Sequence, residues 1–154
     1  MFSSRWDVWP CIHACTAFFS IDPREVRDFV PEGLTIKEEH GRAEIEVGFV
    51  HFPETHGLPE TRELAWGIAV ERRWGSGMAF YAMNIAADNA AYLKHTESND
   101  RFKVHRPPVR FDNDLDKRSF DVRDDEGPIC VLRHQPEGSI PIPFLFGDTE
   151  VWSG

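Results

Sequence analysis

From Pro10 to Ser20 the chain is apolar and β-branched, which predicts a first strand. Asp22 follows as a helix N-cap, with Pro23 at the first helical position and Glu25 three residues after the cap. Val26, Phe29 and Val30 repeat at i, i+3 and i+4, giving one short apolar face, and Pro31 with Gly33 stops the helix after two turns. From Arg42 to Phe52 the period changes to two. Ala43, Ile45, Val47 and Phe49 fall on one side and Glu44 and Glu46 on the other, the pattern of a half-buried strand, with Gly41 supplying its turn.

Two further apolar runs, Leu64 to Trp74 and Met78 to Ala86, flank Gly75-Ser76-Gly77 and predict an antiparallel hairpin, because glycine tolerates the positive φ such loops need. A second short helix is expected over Asp88 to His95, with Asp88 as its cap, and the polar run Lys94 to Asp100 breaks it. Pro107-Pro108 interrupts Phe102 to Phe111, so a strand there must bend or lie at an edge. Ser119 to Arg123 and Ile129 to His134 predict another hairpin across Asp124-Asp125-Glu126-Gly127. Many short strands, two small helices and hairpin turns favour a mainly β (α+β) fold, an antiparallel barrel or strongly curved sheet, over a βαβ fold.

The 154 residues suit a single domain, 1–154, able to bury a core. A formal net charge of −9, from 26 acidic and 17 basic residues with no basic tract, argues against a nucleic-acid partner. No run approaches eighteen apolar residues and the N-terminus lacks a signal-like apolar region, so a soluble, cytoplasmic protein without membrane association is expected. Three cysteines are too few and odd in number for a disulfide framework, which suits a reducing compartment.

The ordered motifs resemble a known family. Asp22-Pro23-Arg24-Glu25-Val26 and Val30-Pro31-Glu32-Gly33-Leu34 come first, then Val47-Gly48-Phe49-Val50-His51-Phe52-Pro53 and His56-Gly57-Leu58. Thr61-Arg62-Glu63-Leu64-Ala65 and the run Tyr81 to Asn89 complete a series similar to acetoacetate decarboxylase-like proteins over residues 12 to 105. The resemblance implies a β-barrel-like domain with an interior pocket, in which a lysine forms a Schiff base with a keto acid and draws electrons from the breaking C–C bond. It matches the family's catalytic segment to Arg101-Phe102-Lys103-Val104-His105, with Val104 in place of a second lysine. The implied nucleophile is Lys103, and the implied pocket acid, positioning substrate or moving protons, is Glu63. In a strand, Arg101 and His105 share the side of Lys103, which makes them candidate substrate-binding residues; an arginine expected in the first strand falls near Ile12 or His13, adding His13. No cofactor or metal is implied, and the partner is a small keto acid or other carbonyl compound. Related proteins continue well past the length of this chain, so strand edges covered by a second subunit, a homo-oligomer, are expected.

The chemistry has competing readings. A lysine amine must fall by about 3 units from about 10.4 to be substantially neutral at pH 7, or about 4 kcal/mol. A like charge about 6 Å away at an effective dielectric of about 20 contributes on the order of 2 to 3 kcal/mol, so one cationic neighbour plus burial suffices. Glu97 and Asp100 would instead hold Lys103 charged, making its segment an edge strand of solvated cations. Glu63 has the alternative of pairing with Arg62, Arg72 or Arg73. If the amine chemistry is absent, the domain is a non-catalytic small-molecule-binding barrel. Cys11, His13 and Cys15 alternate as zinc ligands could, but no fourth ligand is evident, and small core-facing cysteines beside a satisfied histidine are the favoured reading. The Asp112, Asp114, Asp116 run lacks calcium-loop spacing and reads as a solvated turn, and His51, His56, His95 and His134 are scattered without ligand spacing.

Overall fold

The computed structural model describes residues 9–71, 79–100, 102–114, 119–133 and 150–152. Strand β1 (His13–Ile21) leads to helix α1 (Pro23–Val26), capped as expected by the Asp22 side chain, which accepts the amide of Arg24. A 3-10 turn, Arg27–Phe29, completes the two turns. The short strand β2 (Glu38–Glu39) turns tightly into β3 (Arg42–Phe52), within the range predicted. His40 (φ 53°) and Gly41 (φ 74°) both take the left-handed backbone that a two-residue hairpin of this twist requires.

Strands β4 (Thr61–Val70) and β5 (Ala79–Ala87) pair antiparallel as expected; their predicted connection, Gly75-Ser76-Gly77, lies outside the described residues. Helix α2 (Ala90–His95) begins one residue later than the sequence suggests. Asn89 is its cap, accepting from the amides of Ala91 and Tyr92, whereas Asp88 accepts the amide of Arg62. The prolines leave 102–109 with a single bridge, Val104 to Ile85, before β6 (Arg110–Asp114). Asp112 and Asp114 therefore lie in a strand and not in the solvated turn expected for them, because β7 (Ser119–Arg123) supplies a pairing edge; Asp116 lies outside the described residues. The final hairpin runs from β7 to β8 (Pro128–Arg133), and β9 (Glu150–Trp152) closes the described chain.

The main sheet has the order β1-β3-β4-β5-β9, with β2 paired to β3; β6-β7-β8 form a second sheet. All named pairings are antiparallel except β5 with β9. Neither sheet closes on itself among the described residues, so the architecture is the curved-sheet form of the expected mainly β fold.

One face of the main sheet makes the core. Phe49, Leu64 and Ala86 pack with Val109, Phe111, Phe120 and Val122 of the second sheet and its approach. Farther along the same face, Ala43, Ile68, Val70 and Tyr81 pack beneath Val26, Val30 and Ile36. At the junction between these clusters the β4–β5 register slips at Trp66/Gly67. A Cβ on Gly67 would lie 2.9 Å from the carbonyl oxygen of Tyr81, so the bulge requires glycine there. The bulge lets both halves of β5 keep apolar side chains on the core face.

Candidate functional site

The opposite face of the main sheet carries the buried acid. Residues paired across a sheet share a face, and alternate residues of a strand take the other. Glu63 pairs with Val50 and Ala87, and two residues on, Ala65 pairs with Gly48 and Ile85; Gly48 in turn pairs with Thr16. Glu63 thus has the apolar side chains of Val50, Ala87, Ala65 and Ile85 beside it on this face. It is 8% exposed, and the Tyr92 hydroxyl donates a hydrogen bond to its Oε2.

Local sequence puts Tyr92 there. Asn89 follows β5 and starts α2, its Oδ1 accepting from Ala91 N (2.9 Å) and Tyr92 N (3.2 Å) while its side-chain Nδ2 donates to the Pro59 carbonyl (3.4 Å). Asp88 ties the junction to the start of β4: its Oδ1 accepts from Arg62 N at 2.9 Å and its amide donates to the Arg62 carbonyl at 3.2 Å. With this connection fixed to Pro59 and to Arg62 of β4, the first turn of α2 lies over Glu63. Phe52 stacks on Tyr92 with centroids 5.8 Å apart, and Trp9 meets both edge-on, at 5.5 Å from Phe52 and 5.9 Å from Tyr92. His56 and His95 also lie against Trp9, with centroids at 4.8 and 6.1 Å. These rings wall one end of the Glu63 face and restrict water there, where a fixed hydroxyl and carboxylate are electrostatically stronger partners than in bulk solvent.

A second carboxylate shares this face farther along β3. Glu46, half-buried and paired with Phe18 and Gly67, has its pKa raised by burial first and by the nearby charge of Glu44 second.

The candidate residues divide between the two faces. Ile85 N donates to the Lys103 carbonyl (2.9 Å) and His105 N donates to the Ile85 carbonyl (2.7 Å), which makes Val104 the parallel partner of Ile85. Val104 consequently shares the face of Glu63, while Lys103 and His105 alternate to the other. Lys103 is exposed. His105 Nε2 lies 3.0 Å from Asp124 Oδ2, in the turn between β7 and β8. That carboxylate is itself fixed: its Oδ1 accepts the amides of Glu126 (2.8 Å) and Gly127 (3.1 Å), and the Glu126 hydrogen bond leads the causes that hold its pKa below the usual range. His13 is exposed on the core-side face, paired with His51 at a ring separation of 6.1 Å, and His51 Nε2 is 2.6 Å from Glu60 Oε1. Arg101 lies outside the described residues.

Glu97, a rival partner for Lys103, bonds Arg106 at 2.5 Å. Arg62, a rival partner for Glu63, lies with its Nε 3.8 Å from Asp88 Oδ2, and Arg72 and Arg73 are outside the described residues. Cys11 is exposed and precedes β1, while burial pushes the half-buried Cys15 thiol up, as a packed cysteine requires; among the described residues no group of three metal-ligating side chains converges. Tyr92 is the site residue that sequence reasoning passed over as helix body. Its only signal is that a tyrosine on the buried side of a short helix needs a partner for its hydroxyl.

No family model and no curated protein matches the chain. Solved structures do. An acetoacetate decarboxylase superposes with a TM-score of 0.63 at 16% identity, covering 77% of this chain and 46% of the other. The acetoacetate decarboxylase of Legionella pneumophila gives 0.58 at 16%, covering 85% and 53%. The enduracididine biosynthesis enzyme MppR complexed with pyruvate gives 0.54 at 12%, covering 75% and 51%. The chain therefore has an acetoacetate decarboxylase-like fold and spans about half the length of these proteins. No helix among the described residues is long and apolar enough to cross a membrane.

Proposed function

We propose that this chain binds a small carbonyl compound against the Glu63–Tyr92 face, as an acetoacetate decarboxylase-like domain whose ligand site does not work through a lysine imine. The observation that carries this reading is strand parity: the side chain that shares the Glu63 face from the 103–105 segment is Val104, which has no amine. An imine-forming lysine needs desolvation or a neighbouring cation to become nucleophilic, and Lys103 is exposed on the other face. Glu63, held by Tyr92, remains the group able to accept a proton or hydrogen bond from a ligand. The carbonyl class is supported by MppR, whose structures hold pyruvate and its condensation product with imidazole 4-carboxaldehyde. A cytoplasmic setting belongs to the same proposal and rests on the three free thiols.

Face-resolved methyl NMR tests it. Titration with pyruvate, and with acetaldehyde as a neutral analogue, should shift the methyls of Val50, Ile85 and Val104 and leave those of Val109 and Val122 in place. Glu63→Gln should weaken the response. Shifts confined to the core-side methyls, or none at all, contradict the proposal.

A second reading keeps the lyase chemistry. The likeness to acetoacetate decarboxylase favours it. Lys103 would then attack the carbonyl of a keto acid to form an imine with loss of water, with His105 on the same side and with no direct part for Glu63, which lies on the opposite face. Borohydride trapping of a Lys103 adduct separates the two readings.

A further inference from the structure

We propose that the outer edge of β1 pairs with β1 of a second copy of this chain, forming a two-fold dimer through a continuous sheet. This inference does not depend on what the Glu63 face binds. Among the described residues β1 is a terminal strand of the main sheet, with β3 on one side and no strand on the other. An open strand edge presents unpaired amides and carbonyls, and sheet proteins ordinarily guard it with charge, proline or a bulge. Arg42 of β3 covers one end of this edge, its Nη2 donating to the Ser20 carbonyl at 3.0 Å and its Nε to Ser20 Oγ at 3.1 Å, and the rest relies on the residues of β1 itself. The run His13–Ile21 has none of those guards: it contains no Asp, Glu, Lys, Arg or Pro, and its pairing with β3 is in unbroken register.

Other outer strands are guarded. β2 is Glu38–Glu39, β6 carries Arg110, Asp112 and Asp114, and β8 ends in Arg133. Two copies of a chain of net charge −9 repel overall, and β1 is an edge strand with no charged side chain of its own to oppose a second copy. Apolar side chains accompany the edge on both faces. Ile12, Phe18 and Phe19 are 47%, 39% and 45% exposed, and Phe18 and Phe19, being consecutive, project to opposite faces of the sheet. Pairing of two antiparallel copies covers such side chains on both faces at once, which packing on a single face cannot do. The arrangement is isologous, each copy offering the same strand, so it closes at two.

Light scattering of the full chain over a range of micromolar concentrations should give twice the chain mass. Phe18→Lys and Phe19→Lys, one on each face, should each return the chain mass with unchanged far-ultraviolet circular dichroism. Val131→Lys, at an exposed apolar position on β8, should leave the dimer intact. Hydrogen exchange gives a readout in the unmutated chain: amides between Ala14 and Ser20 should gain protection as concentration rises. A monomeric wild type, a dimer indifferent to both β1 substitutions, or β1 exchange independent of concentration each overturns the proposal.

Discussion

Tyr92 and Glu63 show why one hydroxyl matters to a buried acid. The carboxylate is removed from water and the phenol supplies a donor in its place. Tyr92→Phe keeps the ring that stacks on Phe52 and removes only that donor, so it should lower unfolding free energy by about 1 to 3 kcal/mol, read by urea denaturation. Two other carboxylates give opposite pH signatures. Asp124 has a depressed pKa when folded, so its contribution is present above the ordinary carboxylate pKa and is lost as pH falls through the lower folded value. Asp124→Asn should therefore destabilise at neutral pH and flatten the acid limb of stability below about pH 4. Glu46 has a raised pKa when folded, so the folded chain binds its proton more tightly and stability falls as pH rises through that value. Glu46→Gln should stabilise at neutral pH, with the gain fading as pH falls toward about 4, in a series of urea midpoints against pH. The sequence displayed Glu63 because an acid directly precedes an apolar run. It did not display the partner, since Tyr92 meets Glu63 only through the path of α2 over the sheet.

The start of helix α2 was legible to within one residue, and that residue is decisive. Asp88 and Asn89 are adjacent and both are good caps; the choice falls to Asn89 because Asp88 is already bound to Arg62 of β4. Such a competitor comes from 26 residues away, beyond any local pattern. Asn89→Ala should cost about 1 kcal/mol of stability and raise hydrogen exchange over α2 before the strands are affected. The β4–β5 bulge was likewise hidden: both runs read as strands, and nothing local marked Gly67 as the point of slippage. Gly67→Ala should cost about 1 to 3 kcal/mol by calorimetry or urea, because its Cβ meets backbone and not a side chain that can move.

At the scale of the whole molecule, alternation and turn residues predicted a mainly β fold with two short helices, since half-buried strands and hairpins write themselves locally. The division of candidate residues between two faces was not legible. It depends on a single parallel bridge from Val104 to Ile85 after an irregular approach, and one residue of slippage there would exchange Lys103 for Val104 on the Glu63 face. The test with most leverage is therefore borohydride trapping with pyruvate and acetoacetate, followed by peptide mass mapping, on wild type and Val104→Lys. With Val104 beside Glu63, wild type should show no adduct at Lys103, and Val104→Lys should acquire one on the introduced side chain. A wild-type adduct at Lys103, inhibited by Glu63→Gln, would contradict the placement of the ligand site and restore the lysine imine.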